Sequence, residues 1–183
     1  MSACREAIKW AEGHDDPQAA WDACERSDWM LWLLGKLSGP PEGDGRKKLV
    51  LACCECARLA PAIKNPEWEA ARLACLDTAE RWAKGEATIE ELRKTRKDAD
   101  TYAAAAYTAT AAAATAASAA YAAYAADAYA ATAAATAAYA AAYAADAYAA
   151  DAYAAAAYAA ARKQTLKQCA DIVRKHYPPV PVV

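Results

Sequence analysis

Residues 101–161 read TYAAAAYTATAAAATAASAAYAAYAADAYAATAAATAAYAAAYAADAYAADAYAAAAYAAA, with 41 alanines in 61 positions, no Lys or Arg, and only Asp127, Asp146 and Asp151 as charges. Neither Gly nor Pro occurs from Glu86 to Tyr177. Alanine has the highest intrinsic helix propensity and no side-chain entropy to lose on burial, so this stretch predicts helix and the chain an all-α protein. A single helix from Thr88 to His176 would be roughly 130 Å long at 1.5 Å per residue. Globular helices average about 11–12 residues. The expectation is therefore long Ala-rich antiparallel helices with one or two reversals, for which Thr108, Thr110, Ser118, Asp127 and Asp146 are the available caps.

The tyrosines argue against one coiled-coil seam. Tyr121/Tyr124 and Tyr139/Tyr143 have seam spacing, but Tyr143, Tyr148, Tyr153 and Tyr158 recur every five residues. Each such step turns a helix by roughly 140°, so the rings wind around it. Helices touching through Ala on several faces, with Tyr filling gaps, fit better. Residues 101–126 carry no charge but also no Leu, Ile, Val or Phe, which disfavours a membrane span. The spacing of Thr108, Thr110, Thr115, Thr132 and Thr136 lacks the regular repeat of about eleven residues that an ice-binding face needs.

Outward from this tract the composition is ordinary. Residues 1–100 read as a helical head of short helices holding all six Trp, and residues 162–183 as a C-terminal helix and Pro-rich tail of the same domain. Asp16-Pro17 and Asn65-Pro66 are helix starts, and Thr88-Ile89-Glu90-Glu91 is a capping box. Ser27 is the expected cap of a helix carrying Trp29 to Leu37 that is apolar nearly all round. Ala3, Ala7, Ile8 and Ala11 share one face of a helix that Gly13 ends. No hairpin signal and no sustained alternation suggest strands.

The 21 Lys+Arg balance 23 Asp+Glu, for a net charge of −2, so nucleic acid is not an expected partner. The opening MSACREAIKW has no apolar run behind a basic start. Seven Cys, an odd number, read as reduced thiols in the cytoplasm.

Three constellations could carry chemistry. Cys53 and Cys56 have C-x-x-C spacing, but a zinc site needs two more ligands, which Cys24, Cys75, Cys169 or His176 would have to bring from other helices. Packing is the better reading, and no metal or cofactor is expected. Cys169, Asp171 and His176 do not form a catalytic set, because residues seven apart on a helix lie roughly 10 Å apart along its axis. His176 fits a helix C-terminus instead. Asp22, Glu25, Arg26 and Asp28 surround Trp21 and Trp29, with Asp22 and Arg26 placed as an i,i+4 pair. Trp21, Asp22, Arg26, Asp28 and Trp29 are the candidate partner-binding residues, since Trp and Arg dominate binding hot spots.

Two stretches carry a resemblance: Trp21-Asp22-Ala23-Cys24-Glu25-Arg26-Ser27-Asp28-Trp29-Met30-Leu31-Trp32-Leu33-Leu34, and Cys169-Ala170-Asp171-Ile172-Val173-Arg174-Lys175-His176-Tyr177-Pro178. With Leu49 to Arg58 and the Ala/Tyr-rich middle, the chain resembles a family of small all-helical immunity proteins of bacterial polymorphic-toxin systems, with relatives in phage genomes. The resemblance implies a role and no site residue: a non-catalytic inhibitor that occludes a protein partner, either a toxin or a host factor. The rival expectation is a structural or oligomerising Ala-rich protein, such as a phage accessory component, forming homo-oligomers.

Overall fold

The computed structural model describes residues 4–60, 62, 65–105 and 155–181. Among them are seven α-helices and no strand: α1 (Arg5–Glu12), α2 (Pro17–Ala23), α3 (Ser27–Leu37), α4 (Asp44–Ala57), α5 (Pro66–Ala83), α6 (Ile89–Ala105) and α7 (Ala155–His176). The architecture is an all-α helical bundle. The alanine tract begins inside α6 and ends inside α7. The expected Ala-rich antiparallel helices, their reversals and most of the Tyr repeat fall on 106–154, outside the described residues.

Local chemistry accounts for the helix starts. The Asp16 carboxylate accepts from the Ala19 amide at 2.8 Å, with Pro17 following where no N–H is needed. Asn65 Oδ1 accepts from the amides of Glu67 and Trp68 at 3.0 and 3.2 Å. At Thr88 the capping box forms in both directions. The Thr88 amide donates to the Glu91 carboxylate at 2.7 Å, and the Glu91 amide to the Thr88 hydroxyl at 3.2 Å. Between α5 and α6 the chain closes through Gly85 at φ +80°, where Gly85 N donates to Trp82 O and Glu86 N to Arg81 O. That pair of bonds is a Schellman ending, and the left-handed residue it needs is the glycine.

Two expected helix ends differ. Ser27 is the first residue of α3 and Arg26 is its N-cap, without a side-chain cap bond; the Ser27 hydroxyl is fully buried and has no partner among the described residues. Gly13 follows α1 at φ −80° rather than in the left-handed region. There His14 Nδ1 donates to the Trp10 carbonyl at 2.9 Å, so a side chain closes the helix.

α4 is central, packing against α3, α5 and α7, while α5 packs closely on α6. Leu49, Val50, Cys53, Cys54 and Cys56 of α4 are fully buried among Leu31 and Leu34 of α3, Cys75, Leu76 and Ala79 of α5, and Cys169, Ala170 and Val173 of α7. Small side chains let the helices approach closely. α3 has only Lys36 exposed, as its apolar circumference predicts. α1 is different: none of its residues is buried, and Ile8 is 43% exposed.

Buried Arg46 joins α3 to α4. Its Nε donates to Ser38 Oγ at 3.0 Å and its Nη2 to Gly39 O at 2.7 Å, while Ser38 Oγ donates to Gly35 O. The guanidinium thus serves carbonyls that the end of α3 leaves unpaired. No helix among the described residues is long and apolar enough to cross a membrane.

Candidate functional site

α2 stops at Ala23, and Cys24-Glu25-Arg26 leads into α3, with Cys24 and Arg26 in non-helical conformations. This short link forms one wall of a cleft of about 630 Å³, faced across the gap by Arg162, Lys163 and Leu166 of α7 and bordered by Trp10 and Trp29.

Arg26 is fixed on two sides. Its Nε and Nη2 donate to the two oxygens of Asp28 at 2.8 and 2.6 Å, and its guanidinium lies 4.3 Å from the centre of the Trp29 ring. The fork and the stack remove rotamer freedom from a long side chain. The bonds to Asp28 raise Arg26 above its ordinary pKa, so it is permanently charged. Asp28, in the first turn of α3, also meets the positive end of that helix. Trp29 contacts Trp10 with ring centres 6.0 Å apart, and Trp10 contacts His14 at 4.3 Å. A row of guanidinium, indole, indole and imidazole results.

Glu25 points toward α7, where it accepts from Lys167 Nζ at 2.7 Å and lies 3.9 Å from Lys163 Nζ. The hydrogen bond from Lys167 is the main cause holding its carboxyl below the usual range. Cys24 is buried at the base of the cleft, and burial pushes its thiol up.

Of the five residues anticipated for binding, Arg26, Asp28 and Trp29 come together. Trp21 is only 4% exposed, and its indole N–H donates to the Tyr177 carbonyl at 2.9 Å. The anticipated Asp22–Arg26 pair does not form, because α2 ends between the two residues and i,i+4 geometry is lost. Asp22 instead accepts from Gln18 Nε2 at 2.8 Å. No local sequence signal marks Trp10, Arg162 or Lys163 as site residues, yet all three line the cleft. The last two are the first charges after the alanine tract, and only the docking of α7 brings them to the cleft.

The other constellations resolve into packing. Cys53, Cys54, Cys56, Cys75 and Cys169 are fully buried free thiols. Burial pushes Cys53 and Cys54 well up, and contact with Cys169 together with burial does the same to Cys56. Cys56 Sγ lies 3.8 Å from the Cys169 carbonyl oxygen. No group of three or more His, Cys, Asp or Glu among the described residues could hold a metal ion. Asp171 pairs with Arg174 at 2.6 Å, and His176 Nε2 meets Glu55 at 2.8 Å, so neither serves Cys169. His176 has a tertiary partner beyond its place at the helix end.

No protein-family model, curated protein or solved structure matches this chain.

Proposed function

We propose that this chain is a protein-binding inhibitor that acts by occlusion, seating its partner on the cleft bordered by Trp10, Arg26 and Trp29. The observation that carries this reading is the Arg26 guanidinium, forked to Asp28 and stacked on Trp29 at the edge of a cleft of about 630 Å³. A side chain already ordered before binding loses less entropy when a partner arrives. Tryptophan and arginine are also the residues on which interface energy concentrates. The charged residues Glu25, Arg162 and Lys163 would form the polar rim.

We read the resemblance of two sequence stretches to immunity proteins in the same sense. The two stretches that carry it are packed together here: Trp21 bonds Tyr177, and Arg174 bonds Cys24. Seven free cysteines support a reducing compartment, the cytoplasm. In this reading the partner is a toxin or host defence protein, and binding rather than catalysis blocks it.

The test is titration calorimetry of the purified chain against the products of genes flanking its own. The Arg26→Ala, Trp29→Ala double variant should lose at least about tenfold in affinity while its circular dichroism is unchanged. Equal affinity in the two proteins would remove this cleft from the interface.

A further inference from the structure

The cleft between the Cys24-Glu25-Arg26 link and α7 is unequally charged. Arg26, Arg162 and Lys163 line it against one acidic residue, Glu25, although the chain as a whole has a net charge of −2. The carboxylates at this wall are already engaged. Both oxygens of Asp28 accept from Arg26, and Glu25 Oε1 accepts from Lys167 Nζ at 2.7 Å. Glu6 of α1 is a further carboxylate whose charge reaches Arg26, without a hydrogen bond to it.

The donors left over are cationic. The fork to Asp28 uses Nε and Nη2 of Arg26, so both N–H groups of Nη1 are without a hydrogen-bond partner among the described residues. The Lys163 side chain is 78% exposed, and its Nζ lies 3.9 Å from Glu25 Oε2, beyond hydrogen-bond reach. Beside these donors the lining is apolar, from Trp10, Trp29, Ala23 and Leu166. The site therefore offers unused N–H groups of positive charge next to an indole-rich surface, and what complements it is negative charge next to an apolar side chain.

We propose that the partner seats an acidic segment in this cleft, with an Asp or Glu carboxylate accepting from Arg26 Nη1 and facing Lys163, and a neighbouring apolar side chain lying against Trp10 and Trp29. The proposal rests on the occlusion reading for the existence of a protein partner and adds the chemistry by which that partner is recognised. A carboxylate-bearing peptide fits better than a nucleic acid. Bases bind single-strand sites by stacking on open aromatic faces, and here the Arg26 guanidinium already covers a face of Trp29 at 4.3 Å. Because Arg26 is held in place by its fork and stack, Nη1 is presented to the partner at little further cost in side-chain entropy.

The experiment is nitrogen–proton correlation NMR of the isotope-labelled full-length chain, whose six tryptophans each give an indole N–H signal. It is titrated with end-blocked, unlabelled peptides of sequence DEWED, NQWQN and KRWRK. DEWED should shift the indole signals of Trp10 and Trp29 and the Nε–H signal of Arg26, leaving Trp68 and Trp82, which do not line the cleft, in place. NQWQN, with the same indole and no charge, should bind at least about fivefold more weakly, and KRWRK more weakly still. Lys163→Glu, an exposed change that leaves the core intact, should weaken DEWED at least about threefold. Raising salt to about 0.5 M should weaken it about fivefold. No binding of DEWED, equal binding of NQWQN, or an unchanged affinity in Lys163→Glu would overturn the proposal. So would an oligothymidine that moves the same signals at lower concentration than DEWED, because the cleft would then select phosphate. If the flanking-gene product loses affinity for Arg26→Ala, Trp29→Ala but the three peptides bind alike, occlusion stands and the acidic segment alone is discarded.

Discussion

The guanidinium of Arg174 donates to the carbonyl oxygen of Cys24 at 2.7 Å, so a residue of the last helix caps the end of the second. The same nitrogen reaches Trp21 O at 3.3 Å, and Nη2 donates to Asp171 at 2.6 Å. Carbonyls at a helix C-terminus lack intrahelical donors and carry partial negative charge, so a cation there stabilises the end twice over. Across 150 residues of sequence, this contact satisfies the end of α2 at the point where the Glu25–Arg26 wall of the cleft begins.

Arg174→Ala should therefore cost about 1.5–3 kcal/mol, the range for hydrogen bonds to a charged group. Arg174→Lys should recover only part of this, because an ammonium cannot hold the fork-like geometry. Urea denaturation at neutral pH measures both.

Acid should loosen the docking of α7. Glu55 accepts from Lys175 at 2.7 Å and contacts His176 at 2.8 Å; the Lys175 bond first, and His176 after it, hold the carboxyl below its ordinary value of 4.5. A carboxyl with a depressed folded pKa contributes stability that is present above its unfolded pKa. That contribution is lost as pH falls through the folded value. Glu25, lowered in the same way by Lys167, acts in the same sense. The urea midpoint should fall between about pH 5 and pH 3, and the gap between unsubstituted protein and Glu55→Gln should close over that interval. A constant gap across the interval would show that Glu55 does not link α4 to α7.

Thiol reactivity separates one cysteine from six. Cys4 is exposed, whereas Cys24, Cys53, Cys54, Cys56, Cys75 and Cys169 are buried. Thiolate is the reactive form, and burial suppresses both its formation and access to it. A colorimetric disulfide reagent should label one thiol rapidly in the native protein, none in Cys4→Ser, and the remaining six only on denaturation.

Two glycines should resist replacement for different reasons. Alanine at 45 would place its Cβ 2.8 Å from the Ser38 backbone oxygen, so Gly45→Ala should lower the melting temperature despite alanine's helix preference of about 1 kcal/mol. At 85 there is open space but φ is +80°, and Gly85→Ala should cost about 1–2 kcal/mol from backbone strain alone. Thermal unfolding of the two variants reads both effects.

Most of the helix punctuation was legible before any coordinates. Asp16-Pro17, Asn65-Pro66 and Thr88 with Glu91 each complete their bonds within three residues, so local order is enough to recognise them. The candidate site was half legible. Arg26, Asp28 and Trp29 meet because they lie within one turn of each other, but Asp22 was given the wrong partner. The i,i+4 rule presumes an unbroken helix, but α2 ends at Ala23, where Arg174 bonds the carbonyls of Trp21 and Cys24 from a distance no local window contains. Trp21 looked like an interface residue from its neighbours, yet burial and its bond to Tyr177 make it a support for the tail.

Read alone, the chain establishes helix class, helix starts and the absence of strand signals among its residues, because propensity and capping act over a few positions. Which thiols are buried together, which residues face the cleft, and how the tail lies across α2 depend on the packing of α7 against α3 and α4. Those contacts join residues more than a hundred positions apart, and their energy exists only once the helices have assembled.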